Sequence, residues 1–300
     1  MQLRRLNLVE YQATIKDWLG ITVDVSDFPP DGATNSGFDT VSSVLAISQL
    51  HLEAFERAAS AVIDTLFATD PGGVRAKWCS YASGNQAADE ACASQIVSDF
   101  AEQAWRRPHG SWGGNEGLLT YQAALKSTGR FGTFPLDVRL QEVLKSVLLG
   151  PRFLLRVEMT DAKGHLDVPS VASRLSYMLW GSAPDVKSLK SNLLDDTALR
   201  TELSRMRLDG TKSQRLLDHF PDIWLQLGQV EKLNRDVKAF PKFSPTLLAA
   251  MRQETSSFFR SFAGMDSAGA LSLRKLLTQK TAATDPALKP FMGTLPAWDF

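Results

Sequence analysis

Apolar residues recur at helical spacing along most of the chain, and two-residue alternation is nowhere sustained. In RRLNLVEYQATIKDWLG, Leu8, Tyr11, Ile15, Trp18 and Leu19 fall on one face, so residues 4–20 read as one helix. Asn7 and Glu10 form a capping box, Leu6 and Tyr11 suit the hydrophobic staple across it, and Gly20 supplies a left-handed stop. Gln12, Lys16 and Asp17 lie on the other side. The charges Arg4, Arg5, Glu10 and Asp17 read as solvated rather than as a site.

Further helices follow at about Ser48–Phe67, Asp89–Arg107, Leu118–Lys126 and Asp137–Leu149. Arg106 and Arg107 sit in the last predicted turn of one of them, against the negative end of the dipole, and Pro108 ends it. FLLRVEMTDAKGHLD reads as an extended or irregular connection. Asp167 caps a helix through Trp180, and Pro184-Asp185 starts another. The remaining helices lie near Asp196–Arg207, Thr211–Leu227 and Pro245–Phe262. The Pro-rich end has no period. The fold class is therefore all-α: a multi-helix array of short and medium helices with long ordered loops. The breaks divide it into modules at 1–68, 76–158 and 166–293, the last ending as if truncated.

Composition narrows the class. Hydrophobic content of 44% and charged content of 22% suit a globular chain, and a formal net charge of zero argues against nucleic acid as a partner. No apolar run approaches the ~20 residues of a membrane span, and no signal-peptide segment follows Met1. Cys79 and Cys92 are spaced C-x12-C, which is neither a zinc or redox CxxC nor a haem-attaching CxxCH. They read as a disulfide closing the polar, turn-rich SYASGNQAADEA, or else as two buried thiols; a disulfide would call for an oxidising compartment.

RRLNLVEYQATIKDWLGI and FPPDGATNSGFDT resemble the N-terminal module of the planctomycete cytochrome-c-associated proteins. FAEQAWRRP, VLLGPRFLLRVE, VASRLSYMLWGSAPD, FPDIWLQLG, FPKFSPTLLAAMRQET and DPALKPFMG resemble later modules in the same order. The resemblance spans Leu3 to about Gly293 and implies modules of unknown function from large exported bacterial proteins. Many of these carry a c-type haem domain, and some carry carbohydrate-binding modules. It assigns no reaction and no catalytic residue. Against that pattern this chain lacks a haem motif and an export signal, so the expectation is a fragment: middle modules with no cofactor of their own, c-type haem lying elsewhere in the full-length protein, and a periplasmic or extracellular location. In such proteins the cysteine pair would form outside the cytoplasm.

The candidate site residues are few. Asp27, Asp31, Asn35 and Asp39 place four oxygen side chains in one loop, as calcium prefers, though Asx turns explain them equally and the EF-hand order is absent. Arg152, Arg156 and Arg174 read as arginines bridging carbonyls or carboxylates in a bundle, or as partners of a haem propionate or anionic sugar. His51, His109, His165 and His219 are scattered; His219, between apolar residues, reads as a core histidine, or as an axial haem ligand to another domain. Trp18, Trp105, Trp180 and Trp224 lie in apolar patterns and read as core, leaving loop residue Trp112 as the candidate exposed contact. The leading expectation is a non-catalytic module that contacts a cytochrome c-type domain or redox partner. A cell-surface polysaccharide-binding module comes second, and a hydrolase assembled only by the fold third.

Overall fold

The computed structural model describes residues 3–32, 34, 37–108, 111, 116–233, 235–236, 238–263, 278 and 288. Among these the chain forms eleven α-helices and one two-stranded antiparallel pair, the all-α class expected. No described helix is long and apolar enough to cross a membrane. Two compact units divide the chain: Met1–Thr34 with Asp39–Ser204, and Asn35–Phe38 with Arg205–Phe300.

The first unit runs β1 (Arg4–Arg5), α1 (Leu8–Leu19), α2 (Gln49–Ala68), α3 (Gln86–Ala104), α4 (Glu116–Leu125), α5 (Leu136–Leu149), α6 (Pro151–Leu154), β2 (Leu155–Arg156), α7 (Val168–Leu179) and α8 (Val186–Lys190), with the boundary inside α9 (Asp196–Leu208). Helix α5 packs on α2, α3 and α4, so the predicted modules at 1–68 and 76–158 share one core. Tyr11 stands within it, edge-on to Phe55 at 5.0 Å and to Phe153 at 5.9 Å.

The capping box forms as expected: Asn7 Oδ1 accepts from Glu10 N at 2.8 Å, and Glu10 Oε2 accepts from Asn7 N at 3.1 Å. That cap corrects the expected start of the first helix. Extended geometry at Asn7 leaves Arg4 and Arg5 outside α1, and their backbone pairs with β2 instead, Arg4 opposite Arg156 and Arg5 opposite Leu155. At the other end Gly20 has φ 72°, and a Cβ there would lie 2.8 Å from the Gly72 nitrogen, so both conformation and space require glycine.

Helix α3 also ends earlier than expected, at Ala104. Arg106 N donates to Gln103 O and Arg107 N to Glu102 O, the Schellman pattern, with Arg106 at φ 57° where glycine is usual. The two arginines thus lie beyond the helix rather than in its last turn. Cys79 and Cys92 form the disulfide, with Cα atoms 5.9 Å apart, inside the range such bonds require. It fastens the 74–85 loop to α3.

In the second unit α10 (Gly210–Trp224) packs on α11 (Pro245–Ala263), with Arg252 Nε donating to Asp222 at 2.9 Å and Arg260 Nε to Asp218 at 2.6 Å. The predicted helix through Leu227 stops at Trp224, where Gln226 turns left-handed into a 3-10 segment, Leu227–Lys232. Trp224 is 44% exposed and stacks on Phe220 at 5.6 Å, which corrects its expected core placement. Trp105 and Trp180 are buried as expected.

Candidate functional site

Two features of the first unit bring polar chemistry together. The first is a groove of about 510 Å³ walled by Trp18 at the end of α1, by Val74, Lys77 and Trp78 of the stapled loop, by Asp99, Phe100, Glu102 and Gln103 on α3, and by Val186 and Lys190 of α8. Its geometry follows from the local sequence. Residues 99, 102 and 103 share one face of α3 by helical spacing. Trp18 tilts against Phe100 with ring centroids 4.4 Å apart. Trp78 adjoins the disulfide, meets Phe67 edge-on at 5.8 Å and lies 5.9 Å from the Arg75 guanidinium, which also caps the Phe67 carbonyl. Both indoles are half-buried, so each keeps one part against the core and one open to the groove.

The second feature is a set of arginines around the start of α1. Glu10 takes a bidentate pair from Arg4 at 2.6 and 2.7 Å, and Arg156 approaches the same carboxylate at 3.9 Å. Arg5, 1% exposed, pairs with Asp31 at 2.6 Å and donates to Leu6 O and Ala46 O. The charges expected to be solvated are thus mostly interior, because β1 carries them under the helix start. Arg106 donates to the carbonyls of Arg152, Phe153 and Leu155 and to the Tyr177 hydroxyl, holding the α6–β2 corner in place. Arg174 makes a bidentate pair with Glu158 at 2.6 and 2.7 Å, and this first of all holds the Glu158 carboxyl below its usual pKa.

The remaining sequence candidates scatter. Asp31 accepts from the Leu8 amide at 2.6 Å and Asp39 from Asn7 Nδ2 at 3.1 Å, so both serve the start of α1. Asp27 is exposed on the rim of a separate groove of about 380 Å³ beside α2. Asn35, Trp112 and His109 lie outside the described residues. Among the described residues no three His, Cys, Asp or Glu side chains stand together as metal ligands. Arg152 lies over the Trp105 ring at 5.0 Å, and His219 is half-buried on α10. Sequence reasoning passed over Trp78; its signal was adjacency to Cys79, which a disulfide turns into a fixed position.

The fold defines an all-α helical module with an aromatic groove. Residues 4–68 match the family model PSD3, protein of unknown function (DUF1587), and residues 166–293 match PSD4, protein of unknown function (DUF1592). The chain thus carries one match to each of these two families of unknown function. No curated protein and no solved structure matches it.

Proposed function

We propose that the chain is a non-catalytic helical module of an exported, haem-linked bacterial protein, and that its own task is to hold a polysaccharide in the aromatic groove. The observation that carries this reading is the convergence of Trp18 and Trp78 with Asp99, Glu102 and Gln103 in one concavity. Sugar rings present apolar C–H faces that stack on indole, and hydroxyl pairs that suit carboxylate and amide side chains. The disulfide supports an oxidising compartment, and the resemblance of the chain's sequence blocks to the planctomycete cytochrome-c-associated proteins is what suggests the link to a cytochrome c.

The test is retention of the protein on insoluble cellulose, chitin and xylan. At least one is expected to retain it, and Trp78→Ala is expected to weaken that retention about tenfold, the effect of losing one good stacking contact. Retention on none of them, or retention indifferent to both Trp78→Ala and Trp18→Ala, would reject the groove reading. Release of reducing ends during the same incubation would favour the hydrolase reading, with Asp99 and Glu102 as the carboxylates to replace. The haem link is tested separately, by haem staining of the protein purified from its native host.

A further inference from the structure

The arginines at the β1–β2 pair do not balance. Arg4, Arg106, Arg156 and Arg174 gather there with the carboxylates of Glu10, Glu158 and Asp39. Arg4 is matched by Glu10 and Arg174 by Glu158, both bidentate, while Asp39 accepts from Asn7. Arg106 is occupied by three carbonyls and the Tyr177 hydroxyl. Arg156 shares the field of Glu10 and Glu158 with these arginines but has no bidentate carboxylate of its own among the described residues. Its Nε is buried without a hydrogen-bond partner, and its ion pair with Glu10, at 3.9 Å, is too long for a hydrogen bond. Its guanidinium lies over the Tyr177 ring at 4.8 Å. A largely buried cation with one unmet donor is unfavourable unless something else completes it. The side chain is 13% exposed, so its outer edge is reachable from solvent.

We propose that Arg156, backed by Arg4, seats an oxyanion: a carboxylate, sulfate or phosphate group, either borne by an acidic glycan or free in solution. The guanidinium fork presents two parallel donors to such a group, and Tyr177 fixes its plane from behind. Burial, together with the like charges of Arg4 and Arg106, already lowers the Arg156 pKa, and an anion there would relieve that. The site is separate from the aromatic groove and shares no residue with it, so either can fail without the other.

The experiment is thermal unfolding of the whole chain at fixed ionic strength, with sodium chloride exchanged for phosphate, sulfate or glucuronate. Each oxyanion is expected to raise the midpoint by roughly 2 °C or more over chloride at saturating concentration. Arg156→Gln is expected to abolish the difference, and Arg156→Lys, which keeps the charge but loses the fork, to weaken the apparent affinity about tenfold. Circular dichroism checks that both variants fold. Oligoglucuronate binding at least tenfold tighter than phosphate would make the source a glycan; equal binding would make it a free anion. No oxyanion effect beyond chloride in the wild-type chain, or an effect unchanged in both variants, would overturn the proposal.

Discussion

Arg5 Nη2 lies 3.2 Å from His51 Nε2, which joins β1 to the first turn of α2. A guanidinium only donates, so Nε2 accepts from Arg5, while on the other side of the ring Nδ1 accepts from Ser48 N at 3.3 Å and lies 2.8 Å from Ser48 Oγ. Donors facing the ring from both sides therefore favour the neutral imidazole over the imidazolium. Burial and the Arg5 charge depress the His51 pKa below its ordinary 6.5, against the pull of Asp31. The unfolded chain thus binds a proton before the folded one does. The contribution is fully present above the unfolded value and is lost as pH falls through about 6.5 toward the lower folded value. Thermal midpoints measured between pH 7.5 and 5.5 should fall, and His51→Gln should flatten that part of the curve.

Arg106 holds the α6–β2 corner from a left-handed position that is unfavourable for any side chain. Arg106→Lys keeps the charge but cannot span three carbonyls, and should cost about 2–4 kcal/mol in urea unfolding. Arg106→Gly should be less damaging than Arg106→Ala by about 1 kcal/mol, because only glycine adopts this backbone freely. Equal effects of the two would mean that the backbone strain is negligible.

The disulfide fastens the loop that carries Trp78 to the helix that carries Asp99 and Gln103. Replacing Cys79 and Cys92 together by serine should lower stability by about 3 kcal/mol, as for a loop of this length. It should also reduce glycan retention as much as Trp78→Ala does. Full retention by the double variant would detach the groove from the disulfide.

Asp167 caps α7, accepting from Ser170 N at 3.0 Å, and also pairs with Arg107 at 2.5 and 3.1 Å. Burial alone would raise its pKa, but the Arg107 and Ser170 hydrogen bonds outweigh it and the net shift is downward from 3.8. The stabilisation is present above that value and lost as pH falls through the lower folded one. Asp167→Asn keeps the cap and removes the charge. It should cost about 1 kcal/mol at pH 7, solvent screening included, and almost nothing near pH 2.

What was legible in the sequence was mostly local. The capping box at Asn7, the stop at Gly20 and the stripes of α2, α3 and α5 depend on residues within a few positions of each other. The cysteine pair was legible because few alternatives fit its spacing. Arg5 and Glu10 were misread because their burial depends on β2 and on Asp31, which come close only in the folded chain. Trp224 was misread because an apolar stripe does not say whether a neighbour covers it. The groove was invisible for a related reason: its walls come from four separated segments, and Trp78 belongs to no period.

The pairing of Arg4 with Arg156 has a bearing on where this protein can be cut. The matched domain at residues 4–68 does not finish itself, since its first strand is completed by residues 155–156 and its second helix is covered by α5. Evolutionary and folding boundaries therefore do not coincide. During synthesis the strand at Arg4–Arg5 must wait until Leu155–Arg156 is made before its partner exists, and closing so long a loop is slow. A segment ending at Ala68 would emerge with its apolar faces bare and an unmatched strand edge, a state prone to associate with its own copies. Expression of that piece alone should give aggregate, whereas one extended through β2 and α7 carries what closes the core.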